Sequence, residues 1–197
     1  MAKNQQELNQ LFKKLDGAAK ELHFDVVDGK FLKTKSNWFK FRLSTKFKYN
    51  VHLMIKHPLL WIKKNGSKFE TIIFHPEVTD DVEKVISAIK KLKKKVGLSL
   101  KPETPISSIE KYLQELDYVL ILAVHPGRYG AKFMKNPLQK IKQIKKINHK
   151  VKIIVDGGIN PDTIKLAKEA DAVISGSFVS KSDNPQKALR ELKKNCK

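Results

Sequence analysis

Apolar residues along the chain recur in two rhythms. In residues 4–20, Leu8, Leu11, Phe12 and Leu15 fall at helical spacing and Gly17 supplies a stop. A short apolar strand then runs from Leu22 to Val27 and breaks at Asp28-Gly29. Further short apolar runs at 51–55, 71–74, 96–100, 118–124, 152–155 and 172–175 read as strands. Between them lie helical segments. Residues 58–64 begin near a proline, and 80–95 set Val82, Val85, Ile86, Ile89 and Leu92 on one face. Residues 107–115 carry a serine cap, 138–147 are lysine-faced, and 162–169 and 185–195 complete the series. Residues 32–50 lack clear periodicity, although Phe39-Lys40-Phe41-Arg42-Leu43 alternates weakly enough to suggest an extra strand.

Strands that are apolar throughout are expected where both faces of a parallel sheet are covered. Their alternation with helices predicts an α/β fold built from βαβ units. The pattern alone leaves a doubly wound open sheet and a closed barrel both open. No low-complexity linker or repeat interrupts it, so residues 1–197 read as a single domain.

The hydrophobic content of 41% is enough for a sizeable core, and no apolar run reaches membrane-spanning length. The polar N-terminus lacks a signal-peptide core, and Cys196 stands alone, which excludes an internal disulfide. A reducing cytoplasm is the expected setting, with Cys196 an exposed thiol. The net charge is +20, but arginine occurs only at Arg42, Arg128 and Arg190. Lysine lacks the bidentate fork that base-specific readers favour, so no specific nucleic acid is expected as a partner. An anionic small molecule would be drawn by the same field.

Polar residues gather where the apolar strands end. His23 and Asp25 alternate on the first strand and therefore share a face. His52 interrupts the second strand, and Asp156 follows Ile153-Ile154-Val155 directly. In a barrel these ends would converge on the catalytic face. Two imidazoles and two carboxylates form a nitrogen and oxygen donor set suited to zinc, iron(II), manganese or cobalt. Burying them together without a shared cation would be costly. Gly127 to Gly130, Gly157-Gly158 and Gly176-Ser177 follow successive late strands, where backbone N–H groups commonly bind phosphate.

These residues sit in segments that resemble the ribulose-phosphate 3-epimerase family. They are residues 22–31, 51–55 with Pro58 and Trp61, Phe74-His75-Pro76-Glu77, and 96–102. Residues 124–127 with Gly130 and Phe133, 155–159 and 175–177 complete the match, in register from about residue 5 to the end. The resemblance implies a TIM-type (β/α) barrel of the ribulose-phosphate binding kind. It implies that His23, Asp25, His52 and Asp156 hold one divalent metal ion, with Asp25 and Asp156 as the acid/base pair. It places substrate, chiefly its phosphate, against His52, Gly127, Arg128, Tyr129, Gly130, Gly157, Gly158, Gly176 and Ser177, with Met54 as a further contact. The implied reaction interconverts D-ribulose 5-phosphate and D-xylulose 5-phosphate in the pentose phosphate pathway, through a metal-stabilised ene-diolate. A homo-oligomer is also implied.

The chain departs from the family at its start. The family opens with a strand and a Pro-Ser segment whose serine contacts substrate, whereas this chain opens in the region of the first helix. The first strand is thus expected to be lacking or replaced, unless Met1 is an internal start; a lacking strand would leave sheet edges that favour association. Val27 and Leu122 stand at family methionine positions, and Arg128, Tyr129 and Ala131 alter the phosphate loop. An epimerase of a related ketohexose phosphate, or a basic barrel that binds without catalysis, are the alternative readings. His75 and His125 read as strand-end residues without a ligand role, His57 and His149 as solvent-facing, and Trp38 and Trp61 as packing residues.

Overall fold

A computed structural model describes residues 2–78, 80–127 and 131–196. The chain divides into two compact units, Met1–Ser99 and Leu100–Lys197. In the first, α1 (Gln5–Leu15) is capped by Asn4, whose side chain accepts from the Glu7 N–H. The chain turns at Gly17, where φ is 72°, and enters β1 (Glu21–Asp28). There follow β2 (Lys35–Ser36), β3 (Lys48–Met54), α2 (Pro58–Asn65), β4 (Thr71–Phe74), α3 (Val82–Lys91) and β5 (Lys95–Leu100). Strands β1, β3, β4 and β5 lie side by side and parallel, and β2 pairs antiparallel on the free edge of β1.

The two faces of β1 have different partners. Phe24 joins a buried aromatic cluster, with ring centroids 5.0 Å from Phe41 and 5.9 Å from Phe69. Trp61 and Phe41 close on Phe69, and Phe12 of α1 reaches Tyr49 and Phe47. This packing fills one face and leaves His23, Asp25 and Val27 on the other.

The region without periodicity resolves differently from the weak alternation at Phe39–Leu43. Those residues form no strand, and the edge strand is Lys35–Ser36 instead. Gln5 explains the difference. Its side chain accepts from the Arg42 N–H at 2.7 Å and donates to the Arg42 carbonyl at 3.0 Å, so both ladder groups of that residue are engaged by α1. Phe41 is then buried in the aromatic cluster, whereas Trp38, expected to pack, is 45% exposed.

The second unit contains β6 (Tyr118–Leu122), α4 (Gln139–Ile147), β7 (Lys152–Asp156), β8 (Ala172–Ile174), α5 (Ser177–Ser180) and α6 (Pro185–Lys194). Strands β6, β7 and β8 are parallel neighbours in that order. Two segments expected to be α-helical are 3-10 turns: Ile106–Ser108 with Glu110–Glu115, and Ile164–Ala167. At the second, Thr163 Oγ1 donates to the Gly158 carbonyl and Asn160 Oδ1 accepts two backbone N–H groups, which favours local turns over a continuing helix. No described helix is long and apolar enough to cross a membrane.

Helix ends carry a common mark. Each helix of eight or more residues has two lysines in its last turn: Lys13 and Lys14, Lys63 and Lys64, Lys90 and Lys91, Lys145 and Lys146, Lys193 and Lys194. A cation there complements the negative end of the helix dipole.

Two internal lysine contacts can be tested by stability. Lys140 Nζ donates to the carbonyls of Lys101, Pro102 and Thr104 at 2.8, 2.9 and 2.7 Å, tying α4 to the segment after β5. Lys140→Met is expected to lower the urea-unfolding free energy by about 1.5–3 kcal/mol, the range for hydrogen bonds to a charged group. Asp171 accepts from the Ile153 N–H at 2.8 Å and from Lys145 and Lys152. Burial works to raise its pKa, but these donors outweigh it and hold the carboxyl below its ordinary 3.8. A carboxylate depressed in the folded state contributes stability that is complete above the unfolded value and is lost as pH falls through the folded one. The melting-temperature gap between the unaltered protein and Asp171→Asn is therefore expected to be full at about pH 6–7 and to close below about pH 4.

Candidate metal centre

The parallel register of β1 and β3 sets His23 across from Asn50, Asp25 across from His52, and Val27 across from Met54. Laterally paired residues of parallel strands share a face, so Asp25 and His52 meet. Asp25 Oδ1 lies 3.3 Å from His23 Nε2 and 3.3 Å from His52 Nδ1. One carboxylate oxygen is thus held between two imidazole nitrogens.

Several bonds fix this arrangement. The side-chain N–H of Asn37 donates to the Asp25 carbonyl at 2.7 Å, on the strand edge away from β3. Asn37 takes a left-handed φ of 49°, a conformation asparagine tolerates better than most residues. Buried Asp28 accepts from the N–H groups of Lys30 and Phe31 with one oxygen and from that of Lys56 with the other. It thereby joins the exits of β1 and β3.

The protonation states suit cation binding. Burial alone would raise the Asp25 pKa, but the imidazoles of His23 and His52 outweigh it and hold the carboxyl far below the usual carboxylate range. Burial pushes the pKa of His52 down against the pull of Asp25, leaving a neutral ring with a lone pair to offer. Asp25 Oδ1 and His52 Nδ1 are both buried, and among the described residues neither has a hydrogen-bond partner. The two atoms face each other at 3.3 Å, a pairing that a shared cation would satisfy.

His75, read from the sequence as a strand-end residue without a ligand role, packs against this group. It follows β4 directly, is fully buried, and places Nε2 2.9 Å from His52 Nε2. Its Nδ1 lies 3.6 Å from Glu77 Oε2, and its ring stacks 4.7 Å from Phe31. A ligating histidine commonly uses its second nitrogen in such a contact, which sets its tautomer. The signal in the sequence was a histidine one step beyond an apolar strand, with an acidic residue two further on.

The remaining candidates lie in the second unit. Asp156 closes β7, across from Leu122 and Ile174, and its carbonyl accepts from the Ala123 N–H at 2.7 Å. Gly157 follows with φ 103°, and a side chain there would strike Val124 at 2.5 Å. Gly158 (φ 66°) and Gly127 (φ 85°) are also left-handed. Gly176 precedes α5, which Ser177 opens, and a Cβ at Gly176 would meet nothing within 4 Å. Arg128, Tyr129 and Gly130 lie outside the described residues. His57 is solvent-facing beside Asp80, His149 is exposed, and His125 pairs with Glu103 at the surface.

A family model described as the ribulose-phosphate 3 epimerase family matches residues 1–180. The chain belongs to the ribulose-phosphate 3-epimerase family. Ribulose-phosphate 3-epimerase of Bacillus subtilis (strain 168) is 35% identical over 191 residues, covering 90% of this chain and 87% of that one. Among solved structures, a ligand complex of KGPDC from Streptococcus mutans aligns with a TM-score of 0.68 at 14% identity, over 97% of this chain and 91% of that one. The 3-hexulose-6-phosphate synthase of Salmonella typhimurium aligns at 0.67 and 16%, over 100% and 95%. Family and fold together make this an isomerase of carbohydrate metabolism with a TIM-type (β/α) barrel of the ribulose-phosphate binding kind.

Removing His75 isolates its contribution. His75→Ala would leave His52 Nε2 buried without this partner, a loss of about 1–3 kcal/mol. For a protein of this size each kcal/mol corresponds to about 2–4 °C, so a clear fall in melting temperature is expected by calorimetry.

Proposed function

We propose that this protein is a metal-dependent 3-epimerase that interconverts D-ribulose 5-phosphate and D-xylulose 5-phosphate. The observation that carries the reading is the ionised Asp25 held between His23 and His52 at 3.3 Å, in a chain of this family. His23, Asp25, His52 and Asp156 would hold one divalent ion, for which zinc, iron(II), manganese or cobalt fits the donor set. An ion held there would supply Lewis acidity to the substrate ketone, making the neighbouring C3 hydrogen more acidic.

Inversion at C3 needs one group to remove a proton and another to deliver one to the opposite face. Asp25 and Asp156 take these two roles and exchange them in the reverse direction. The lowered pKa of Asp25 keeps it ionised and so able to accept a proton. His52 orients Asp25, and His75 fixes the ring of His52. Backbone N–H groups at Gly127, Gly157, Gly158, Gly176 and Ser177 hold the phosphate, together with Arg128, Tyr129 and Gly130. The left-handed glycines support this role, because such backbone presents N–H groups without a side chain in the way. Met54 packs against the carbon chain. The enzyme works in the cytoplasm as a homo-oligomer.

The test is a coupled assay for xylulose 5-phosphate formed from ribulose 5-phosphate, with defined divalent metals. Metal-dependent turnover is expected, and Asp156→Asn should lower kcat by at least about 100-fold, the lower bound for losing a general acid or base. Folded, metal-loaded protein that turns over no ribulose 5-phosphate would refute the reading, and ketohexose phosphates would be assayed next.

A further inference from the structure

The strand β2 replaces nothing visible in the apolar pattern, yet it brings one polar side chain to the candidate site. Its two residues pair antiparallel with β1, Val27 opposite Ser36 and Asp28 opposite Lys35. Directly opposed residues project from the same face of a sheet. Ser36 therefore shares the face of Val27, and with it the face of His23 and Asp25. In the other direction Val27 is opposed by Met54, two positions beyond His52 on β3. Ser36, Val27 and Met54 thus form one row across three strands, and Asp25 with His52 form the row beneath it. The upper row lies toward the C-terminal ends of the parallel strands, where (β/α)-barrel enzymes place their substrates.

Within that row Val27 and Met54 are apolar and Ser36 is not. Ser36 is 4% exposed, and its Oγ is buried with no hydrogen-bond partner among the described residues. A buried hydroxyl left unbonded is uncommon and calls for a cause. No backbone contact of Ser36 accounts for a serine here, because its pairing with Val27 would serve alanine equally well. The anchor beside it is firm: Asn37 donates to the Asp25 carbonyl, and its own N–H donates to the Ala2 carbonyl at 3.3 Å. Diagonal neighbours on opposed strands stand about 7–8 Å apart, a separation that a sugar carbon chain with its hydroxyls can bridge from Asp25 to Ser36.

We infer that Ser36 is a substrate-positioning residue whose hydroxyl hydrogen-bonds a carbon-chain hydroxyl of the bound ketose phosphate. The inference rests on the epimerase reading and adds to it a contact supplied by the edge strand. A hydroxyl both donates and accepts, which matches a neutral sugar hydroxyl better than a phosphate dianion. The contact orients the reacting end of the substrate over the row that holds Asp25. Such positioning acts on substrate affinity without altering the metal ligands.

The experiment compares the metal-loaded full chain with Ser36→Ala and Ser36→Thr. It measures calorimetric affinity for a pentitol 5-phosphate, the unreactive reduced form of the substrate, together with kcat, KM, metal affinity and melting temperature. Ser36→Ala is expected to weaken pentitol phosphate binding and raise KM by roughly 3- to 10-fold, the worth of one neutral hydrogen bond. Metal affinity and melting temperature should stay unchanged, and Ser36→Thr should restore most of the affinity. Unchanged affinity in Ser36→Ala overturns the inference, as does a loss that tracks melting temperature and is not restored by threonine. If the unaltered chain binds pentitol phosphate without turning over ribulose 5-phosphate, the epimerase reading fails while the effect of Ser36→Ala on binding still decides this one. If it binds none, both fall.

Discussion

The candidate metal centre depends on one pairing, Asp25 on β1 beside His52 on β3. Each side chain is set by its strand and neither by a loop, so its position is as rigid as the parallel ladder. A slip of one residue would turn every side chain of a strand to the opposite face. His23 and Asp25 would then point into the aromatic cluster, and Phe24 would take their place. The register is held from both sides of the sheet. On one face Phe24, Phe41, Trp61 and Phe69 pack together; at the strand exits, Asp28 gathers three backbone N–H groups.

Around that pairing the polar residues act as layers of support. Asn37 fixes the backbone of Asp25 from the free edge of β1, and His75 occupies the second nitrogen of His52, with Glu77 beyond it. Buried polar chains of this sort are stabilising only when their members are satisfied. The unbonded Asp25 Oδ1 and His52 Nδ1 are therefore the informative exceptions. Stability is given up at a point where a cation would restore it.

Much of this was legible in the residues. Strands such as Thr71–Phe74 announced themselves because fully buried parallel strands are apolar throughout, and one charged or imidazole side chain then stands out. That is why His23, Asp25 and His52 were readable as a group. Two classes of feature were not. Lys35–Ser36 is too short to carry a period, and what ties it to β1 is the bond from the adjoining Asn37 to the Asp25 carbonyl and not its own pattern. Phe39–Leu43 alternated like a strand, but the side chain of Gln5, 37 positions from Arg42, took the backbone groups a ladder would need. His75 was visible as a residue, yet its partnership with His52 spans 23 positions and appears only once β3 and β4 are adjacent.

The lysine pairs at the helix ends bear on how a chain of net charge +20 can offer a home to a cation. In the first unit α1, α2 and α3 end on lysines shortly before β1, β4 and β5 begin. Their charge therefore collects where strands start, whereas Asp25 and His52 each lie four residues further along. Four residues of strand span about 13 Å, against a screening length of about 8 Å in physiological salt. The lysine pairs at the helix ends therefore add little to the potential that a cation would meet beside Asp25. Bulk isoelectric point, so often taken to forecast what a protein attracts, says little here about the sign of the charge at Asp25.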